Sequence, residues 1–367
     1  MNLERVIISG GGTGGHIFPA LAIANEIRSR FPDADILFVG ALHRMEMEKV
    51  PAAGYRIIGL PVTGLPRKPG IKMISFFMNL FKSNRMANRI INDFKPQVAI
   101  GVGGFASGPL LRAARRNGIP TLIQEQNSYA GITNKLLGKK ADTICVAYDH
   151  MDRYFPEDKI VFTGNPVREG LLKISDNAQE ALDFFGVNSE KKVILIVGGS
   201  LGARSINDAV LNNIDRIAGS QLEVIWQTGQ LYYKNILEKT KNNRPSNLHI
   251  HEFLTRMELA YAAADIIVSR AGAGTISELC IIAKPVILVP SPNVAEDHQT
   301  KNALSLSEKG AAVLIRDNEI MEKLIPEATR IVNDSDTCEK LSANIKKLAK
   351  PLATKKIVDE VVKLVRL

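Results

Sequence analysis

The sequence is poor in cysteine and tryptophan, and it has no long uninterrupted apolar run. Only three of its 367 residues are cysteine and one is tryptophan. Cys145, Cys280 and Cys338 are far apart and lack metal-ligand spacing, which argues against a disulfide framework and favours reduced thiols. No apolar stretch approaches the ~20 residues that span a bilayer. No charged and then apolar leader opens the chain, so we expect a cytoplasmic protein.

The strongest local pattern is RVIISGGGTGGHIFPALAIA, residues 5–24. A β-branched run ends in a glycine loop, and His16 then opens an apolar helix. That order places bare N–H groups and a positive helix end where a diphosphate could bind. Gly10, Gly12 and Gly15 form a G-x-G-x-x-G, which many α/β nucleotide binders share. A helix N-terminus disfavours a charged imidazole, so a neutral His16 able to accept a proton is expected.

The same pattern recurs half a chain later. At an offset of 187 residues, residues 6–8 match 193–195 and residues 11–13 match 198–200, and another glycine loop lies within residues 98–114. With 45% apolar residues, the chain can fill two cores. We predict two doubly wound Rossmann-like α/β domains facing across a cleft. The alternative is that glycines follow strands in any α/β protein.

Positive charge is concentrated in one segment. Of the net charge of +9, residues 49–124 contribute +11 (12 Lys or Arg against one acid) and the rest −2. Within it, residues 67–92 form an aromatic, basic helix without acids, which is typical of an anionic membrane surface. The proposed membrane patch comprises Lys72, Phe76, Phe77, Phe81, Lys82 and Arg85. A core helix with a solvated basic edge is the alternative. Nucleic acid is a weaker partner, because no nucleic-acid fold signature accompanies the patch.

Periodicity predicts the organisation. We expect a first domain at 1–165, a second domain at 166–345, and a last helix within 346–367 whose apolar stripe could pack on either domain. The predicted strands are 5–9, 35–39, 55–60, 97–101, 120–124, 143–147 and 159–163, then 193–197, 222–227, 248–252, 266–269, 286–289 and 312–315.

Polar chemistry concentrates after several predicted strands. In SRAGAGTISE, Gly272 and Gly274 would let a phosphate approach a helix that opens at Thr275. Glu278 could accept hydrogen bonds from ribose hydroxyls, or it could form a capping box with Thr275. Residues 124–127, Gln-Glu-Gln-Asn, lie where open α/β sheets bind ligands, although a turn would use the same residues. Asp297 is predicted to be a helix N-cap residue. Gln299, two residues later, can donate hydrogen bonds to sugar hydroxyls and accept them.

Seven segments resemble, in order, the signature segments of the MurG family of peptidoglycan N-acetylglucosaminyltransferases. They are GGTGGHIFPALAIA, GVGGFASGP, EQNSYAGITNK, TGNPVR, VGGSLGARSIN, SRAGAGTISE and DHQTKNA. The resemblance covers essentially the whole chain. It implies that residues 1–165 form the acceptor and membrane-docking domain, that residues 166–345 form the UDP-sugar domain, and that the helix within 346–367 packs back on the first domain. It implies a GT-B enzyme that inverts the anomeric carbon and moves N-acetylglucosamine from UDP-GlcNAc to the muramoyl 4-hydroxyl of lipid I, giving lipid II. It also implies no metal or cofactor, a peripheral place on the cytoplasmic membrane face, and contact with other cell-wall synthesis proteins.

The resemblance also implies roles for single residues. Gly103 and Gly104 match the loop for the acceptor diphosphate. His16 is the candidate base and Glu125 the second candidate. The residues carried over for UDP-GlcNAc are Thr13, Gly14, Gly15, Asn127, Arg168, Ser200, Leu254, Ala273, Gly274, Thr275, Glu278 and Gln299. Two departures limit the transfer: Gln124 replaces a His of some relatives, and His298 replaces one of two paired Gln.

Three alternatives stay open at this point. A NAD-dependent dehydrogenase would share the first glycine loop, but it needs an acid at the end of the second strand, where ILFVGAL, residues 36–42, has Gly40 and no acid. A related GT-B enzyme could use another lipid acceptor, such as diacylglycerol. A membrane-docked nucleotide-sugar binder would keep the loops without turnover.

Overall fold

The computed structural model describes residues 3–64, 70–167, 171, 178–294 and 297–366, without the side chains of 71, 72 and 366. The described chain forms two compact units. One comprises the residues up to Val167 together with those from Lys350 onward, and the other runs from Arg168 to Ala349. The unit boundaries thus fall a few residues beyond the predicted 165/166 and 345/346. Among the described residues, no helix is long and apolar enough to cross a bilayer.

The first unit is built on a seven-stranded parallel sheet in the order β3-β2-β1-β4-β5-β6-β7. Its strands are β1 Arg5–Gly10, β2 Asp35–Ala41, β3 Arg56–Leu60, β4 Val98–Gly103, β5 Thr121–Glu125, β6 Thr143–Val146 and β7 Ile160–Phe162. Its helices are α1 Gly14–Arg30, α2 Glu46–Ala52, α3 Ile71–Phe94, α4 Ser107–Arg116, α5 Ile132–Gly138 and, from the chain end, α15 Ala353–Arg366. Short 3₁₀ turns at Met151–Arg153 and Glu157–Lys159 precede β7.

The second unit contains a six-stranded parallel sheet in the order β10-β9-β8-β11-β12-β13. Its strands are β8 Lys192–Val197, β9 Leu222–Gln227, β10 Leu248–His251, β11 Ile266–Ser269, β12 Val286–Leu288 and β13 Val313–Leu314. Its helices are α6 Ala178–Phe185, α7 Arg204–Leu211, α8 Ile214–Ala218, α9 Tyr233–Thr240, α10 Met257–Ala263, α11 Ala273–Ile282, α12 His298–Ser307, α13 Ile320–Val332 and α14 Ser335–Lys346.

The two sheets have equivalent topology, which confirms the predicted pair of doubly wound α/β units. Strands β1 and β8 occupy the same third position, and in each unit the strand order reverses beside them. Parallel strands covered on both faces should be continuously apolar. The central strands β1 and β8 fit this expectation, since Ile7, Ile8, Ile194 and Leu195 are all at most 1% exposed.

Each sheet separates two layers of core. In the first unit, one layer packs α3 and α4 on the sheet, and the other packs α1 and α15. Helix α15 buries Ile357, Val358 and Val361 completely. Its Asp359 also forms an ion pair with Arg30 of α1. The last helix of the chain is therefore part of the first unit's core.

Candidate active site

In both units the glycine loops lie at the carboxyl ends of the central strands, at the point where the strand order reverses. Residues 11–13 follow β1 and residues 104–106 follow β4. The corresponding loops of the second unit, 198–203 and 270–272, follow β8 and β11. Open parallel sheets bind ligands at this position because two neighbouring loops diverge there. The sequence placed its main candidates in these four loops.

His16 is held in one tautomer by the first loop. Helix α1 begins at Gly14 with Thr13 as its N-cap residue, so His16 lies in the first turn. Its Nδ1 is 3.0 Å from the carbonyl oxygen of Gly11. A carbonyl oxygen only accepts hydrogen bonds, so Nδ1 carries the proton and Nε2 of the neutral ring carries the basic lone pair. The predicted catalytic nitrogen is therefore Nε2.

The loop after β4 packs directly on His16 and its loop. A Cβ at Gly103 would lie 2.8 Å from Nε2 of His16, and a Cβ at Gly104 would overlap the carbonyl oxygen of Gly11. Both glycines have positive φ, +106° and +87°. The backbone therefore requires glycine at both positions, by conformation and by space. The fold brings the residues expected to meet the acceptor diphosphate beside the candidate base.

Glu46 is a residue of this site that the sequence analysis missed. It begins α2 and is completely buried. Its Oε2 accepts a hydrogen bond from the Gly12 amide at 2.8 Å, and its Oε1 accepts one from the Ala41 amide at 2.9 Å. The Gly12 amide, expected at first to face a phosphate, is thus already used. No sequence pattern indicates this, because RMEMEK reads as the exposed start of an amphipathic helix.

Glu125 is tied into its own loop. It is 2% exposed, and its Oε1 accepts hydrogen bonds from the amide and side chain of Asn127. Its Oε2 accepts from the Gly131 amide at 3.1 Å and from Asn134 at 2.9 Å. Four donors around one buried carboxylate indicate that it organises residues 126–134.

Of the four polar residues at and just beyond the end of β5, residues 124–127, three are buried. Gln124 and Gln126 are 0% and 2% exposed. Gln124 donates to Asn165, whose side chain donates to the Gln126 carbonyl, and Gln126 donates to the Val102 carbonyl. This network connects β4 with the residues that follow β5 and β7. Only Asn127 keeps a partly exposed side chain.

In the second unit, the loop after β8 presents Ser200 to solvent. Its sharp turn is closed by a hydrogen bond from the Gly202 amide to the Gly199 carbonyl at 3.0 Å. Gln227 of β9 supports the same carbonyl at 2.9 Å. Among the described residues, the amides of Ser200 and Leu201 have no protein acceptor. Two such amides in one tight turn are donors for an anion.

The capping prediction for Thr275 and Glu278 is wrong. Helix α11 begins at Ala273 with Gly272 as N-cap residue and no side-chain cap, so Thr275 is already inside the first turn. The helix therefore begins two residues earlier than the predicted start at Thr275. Glu278 lies one turn later, where its Oε2 accepts from the Tyr261 hydroxyl at 3.3 Å. The amides of Gly274 and Thr275 lack protein acceptors among the described residues.

Arg270, which the sequence analysis did not single out, fastens three loops of this unit. Its side chain is 15% exposed and pairs with Asp317 after β13. It donates to the Val289 and Pro290 carbonyls after β12 at 3.2 and 3.1 Å. It also donates to the Ser205 hydroxyl in α7 at 2.9 Å. The loop that leads into α11 is therefore anchored from three sides.

The remaining donor candidates are placed as follows. The Leu254 amide donates to Gln227 at 2.9 Å. Gln299 accepts a hydrogen bond from the Ser291 amide through Oε1. Asp297 precedes α12, but its side chain accepts from the Thr300 hydroxyl instead of a backbone amide, so its predicted capping bond is wrong. Arg168 lies outside the described residues.

Helix α3 has an exposed apolar stripe. Ile74, Phe77, Met78 and Phe81 are 63%, 58%, 55% and 70% exposed and recur at helical spacing. Phe76 is half-buried, and Lys82 and Arg85 are exposed beside the stripe. The side chain of Lys72 lies outside the description. The opposite side of the helix carries the buried residues Ala87, Ile90 and Ile91.

Comparison with known proteins identifies the family. The glycosyltransferase family 28 N-terminal domain matches residues 6–146, and the family 28 C-terminal domain matches residues 193–357. A protein of Parabacteroides distasonis is 56% identical, over 100% of this chain and 99% of its own length. Its name is UDP-N-acetylglucosamine--N-acetylmuramyl-(pentapeptide) pyrophosphoryl-undecaprenol N-acetylglucosamine transferase. A protein of Phocaeicola vulgatus with the same name is 56% identical over 98% of this chain and 96% of its own.

Solved structures agree with these relatives. The crystal structure of Acinetobacter baumannii MurG has a TM-score of 0.79 and 29% identity, covering 98% of this chain and 99% of that one. A UDP-GlcNAc 2-epimerase from Neisseria meningitidis, bound to UDP-GlcNAc, has a TM-score of 0.66 and 17% identity over 98% of this chain and 100% of its own, and so shares the fold alone. Together with both domain matches, the full-length relatives show that this chain belongs to glycosyltransferase family 28 and, within it, to the MurG family.

Proposed function

We propose that the chain transfers N-acetylglucosamine from UDP-GlcNAc to the 4-hydroxyl of the muramoyl sugar in undecaprenyl-diphospho-MurNAc-pentapeptide, lipid I. The product is lipid II, with inversion at the anomeric carbon. The observation that carries this proposal is full-length identity above one half with transferases named for these two substrates. The glycine loops in both units supply the groups that such a transfer needs.

The second unit supplies the donor site in this proposal. The amides of Ser200, Gly274 and Thr275, at a tight turn and a helix N-terminus, bind the diphosphate and stabilise its charge as it leaves. Glu278 accepts hydrogen bonds from the ribose hydroxyls, and the Tyr261 hydroxyl holds Oε2 of Glu278 in place. The remaining contacts assigned to this unit are the Leu254 carbonyl for the uracil, Gln299 and Ala273 for the sugar, and Arg168 for the nucleotide. Asn127 of the first unit is assigned to the same sugar.

The first unit supplies the acceptor site and the base. Nε2 of His16 takes the proton of the acceptor hydroxyl as its oxygen forms the new bond to the anomeric carbon. The bond from that carbon to the diphosphate breaks, and its electron pair leaves with UDP. Thr13, Gly14 and Gly15 lie at the start of the same helix and contact the donor sugar. Gly103 and Gly104, which are assigned to the acceptor diphosphate, allow their loop to pack closely on the His16 ring and the Gly11 backbone.

Glu125 is the second candidate base, and its surroundings favour a different role. Each carboxylate oxygen accepts two hydrogen bonds from residues 127–134. A base must reach the acceptor hydroxyl with a free lone pair. We therefore assign Glu125 to positioning Asn127 and keep His16 as the base.

Activity requires a lipid-linked acceptor, and we propose that the first unit docks on the cytoplasmic face of the membrane through α3. The exposed stripe of Ile74, Phe77, Met78 and Phe81 would enter the interface, with Lys82 and Arg85 meeting anionic headgroups. The partners in this proposal are UDP-GlcNAc, lipid I, an anionic membrane and other cell-wall synthesis proteins.

The enzymatic proposal is tested by measuring UDP release with and without a lipid-linked muramoyl-pentapeptide diphosphate. We expect acceptor-dependent release from UDP-GlcNAc and much less from UDP-GalNAc or UDP-glucose. His16→Ala should lower turnover by ~100-fold or more, whereas His43→Asn, at an exposed position of the same unit, should not. Absence of acceptor-dependent release would refute the transferase, and normal turnover of His16→Ala would refute the base.

The docking proposal is tested by sedimentation with phosphatidylcholine vesicles containing phosphatidylglycerol. Burying the exposed parts of two Phe side chains contributes roughly 3 kcal/mol, so the Phe77→Ser/Phe81→Ser variant should bind about 100-fold more weakly. Phe184→Ser removes a ring of the second unit that is 54% exposed and is the matched control. Equal binding of both variants would refute docking through α3.

A further inference from the structure

The peptide group between Gly11 and Gly12 is hydrogen-bonded at both ends by ionisable side chains. Its N–H, from Gly12, donates to Oε2 of Glu46 at 2.8 Å. Its C=O, from Gly11, accepts from Nδ1 of His16 at 3.0 Å. A single peptide therefore connects a buried carboxylate to the nitrogen opposite the proposed base.

We propose that Glu46 is a positioning residue for His16, acting through this peptide. A carboxylate that accepts from one end of an amide polarises it, so the carbonyl at the other end becomes a stronger acceptor. A stronger acceptor holds the ring in the Nδ1–H tautomer and stabilises the imidazolium that forms when Nε2 takes a proton. The effect is that of a carboxylate–histidine pair with a peptide inserted between its members. The inference rests on the proposed role of His16 as base.

The burial of Glu46 supports this role. The residue is 0% exposed, and the second oxygen is fixed by the Ala41 amide at 2.9 Å. The carboxylate fits against Gly11 and Gly40, where a Cβ would collide with its side chain. Both oxygens are therefore held in place, away from water, where hydrogen-bond polarisation is strongest.

The charged surroundings make a pH measurement interpretable. The Gly11 carbonyl and Gly103 lie against the His16 ring, and neither titrates. Beside Glu46 in the chain, Arg44, Glu48 and Lys49 are exposed, and Lys49 pairs with Glu48. A change in the pH profile on altering Glu46 therefore reports on the Glu46–His16 connection.

The test is the Glu46→Gln variant, which keeps one acceptor oxygen and removes the charge. We expect kcat to fall about tenfold, the size of one ordinary hydrogen bond, and KM for UDP-GlcNAc to change less than about twofold. The acidic limb of the kcat/KM profile should move to lower pH, because the imidazolium loses stabilisation. Glu26→Gln is the control: Glu26 is also buried, 8% exposed, and pairs with Arg30 in the same helix as His16. It should leave kcat and the pH limb unchanged.

A double-mutant cycle distinguishes this role from a purely structural one. In the His16→Ala background, Glu46→Gln should change kcat by less than about twofold, because no base remains to be positioned. A tenfold loss in both backgrounds, or an unmoved pH limb, would overturn the proposal while the His16 assignment stands. Normal turnover of His16→Ala alone would instead remove the base assignment.

If Glu46→Gln fails to fold, ¹⁵N NMR of the unaltered protein tests the proposal through the tautomer of His16. The His16 ring should show a protonated Nδ1 and an unprotonated Nε2 at neutral pH. The opposite tautomer would contradict the connection through the Gly11 carbonyl.

Discussion

Replacing Gly104 by alanine tests whether the loop after β4 depends on close backbone approach to the first glycine loop. Gly104 has φ +87°, and its added Cβ would overlap the carbonyl oxygen of Gly11 and lie 3.1 Å from the carbonyl carbon. Gly118 is a matched control, since it has φ +70° and open space around the Cβ position. The two substitutions share the backbone strain and differ in the steric clash.

The expected magnitudes follow from that difference. Placing alanine in the left-handed region costs about 1 kcal/mol at either position. Forcing an atom into a packed contact adds about 1–3 kcal/mol, so Gly104→Ala should lose about 2–4 kcal/mol of unfolding free energy. For a unit of this size, each kcal/mol lowers the Tm by about 2–4 °C.

Calorimetry and turnover at 25 °C check this expectation together. Gly118→Ala should show a small Tm decrease and normal turnover. Gly104→Ala should show a larger decrease and impaired turnover, since the displaced Gly11 carbonyl is the partner of His16. Equal Tm shifts for the two variants would refute the reasoning that the Gly11–Gly104 approach is tight.

Three further predictions concern the second unit. Arg270→Met should destabilise this unit by about 3–5 kcal/mol, because it leaves the partly buried Asp317 carboxylate without its cation. UDP should then give a smaller thermal shift, and unchanged UDP affinity would contradict the anchoring role. Burial, with His249 and Arg244 nearby, lowers the pKa of His251. The unfolded chain therefore binds that proton more readily, and stability should fall as the pH drops below about 6.5; His251→Gln should flatten this loss in pH-dependent urea unfolding. Burial raises the pKa of Cys280 to about 12, so Cys280→Ser should not reduce the thiols that a disulfide reagent titrates at pH 8 before denaturant is added.

Much of the fold was predictable because its periodicity is strong. All thirteen predicted strands coincide with observed strands to within two residues at each end, since buried parallel strands are continuous apolar runs. The repeat at an offset of 187 residues placed β1 and β8 in equivalent positions, and the sheet orders confirm that equivalence. Helix ends were less predictable: α11 begins at Ala273, two residues before the expected Thr275, because loop geometry overrides a local capping motif.

The sequence by itself determined the class of fold, the glycine loops and, through its motifs, the family. It identified His16, Gly103 and Gly104 as separate candidates because each stands in a short local pattern. Only the tertiary structure brought these three together and placed Glu46 behind them. Likewise, it gathered helix α7 and the loops after β12 and β13 around Arg270. The physical reason is that hydrogen bonds between loops depend on which strands become neighbours. Glu46, after β2, meets Gly12 after β1, and Arg270, after β11, meets residues that follow β12 and β13.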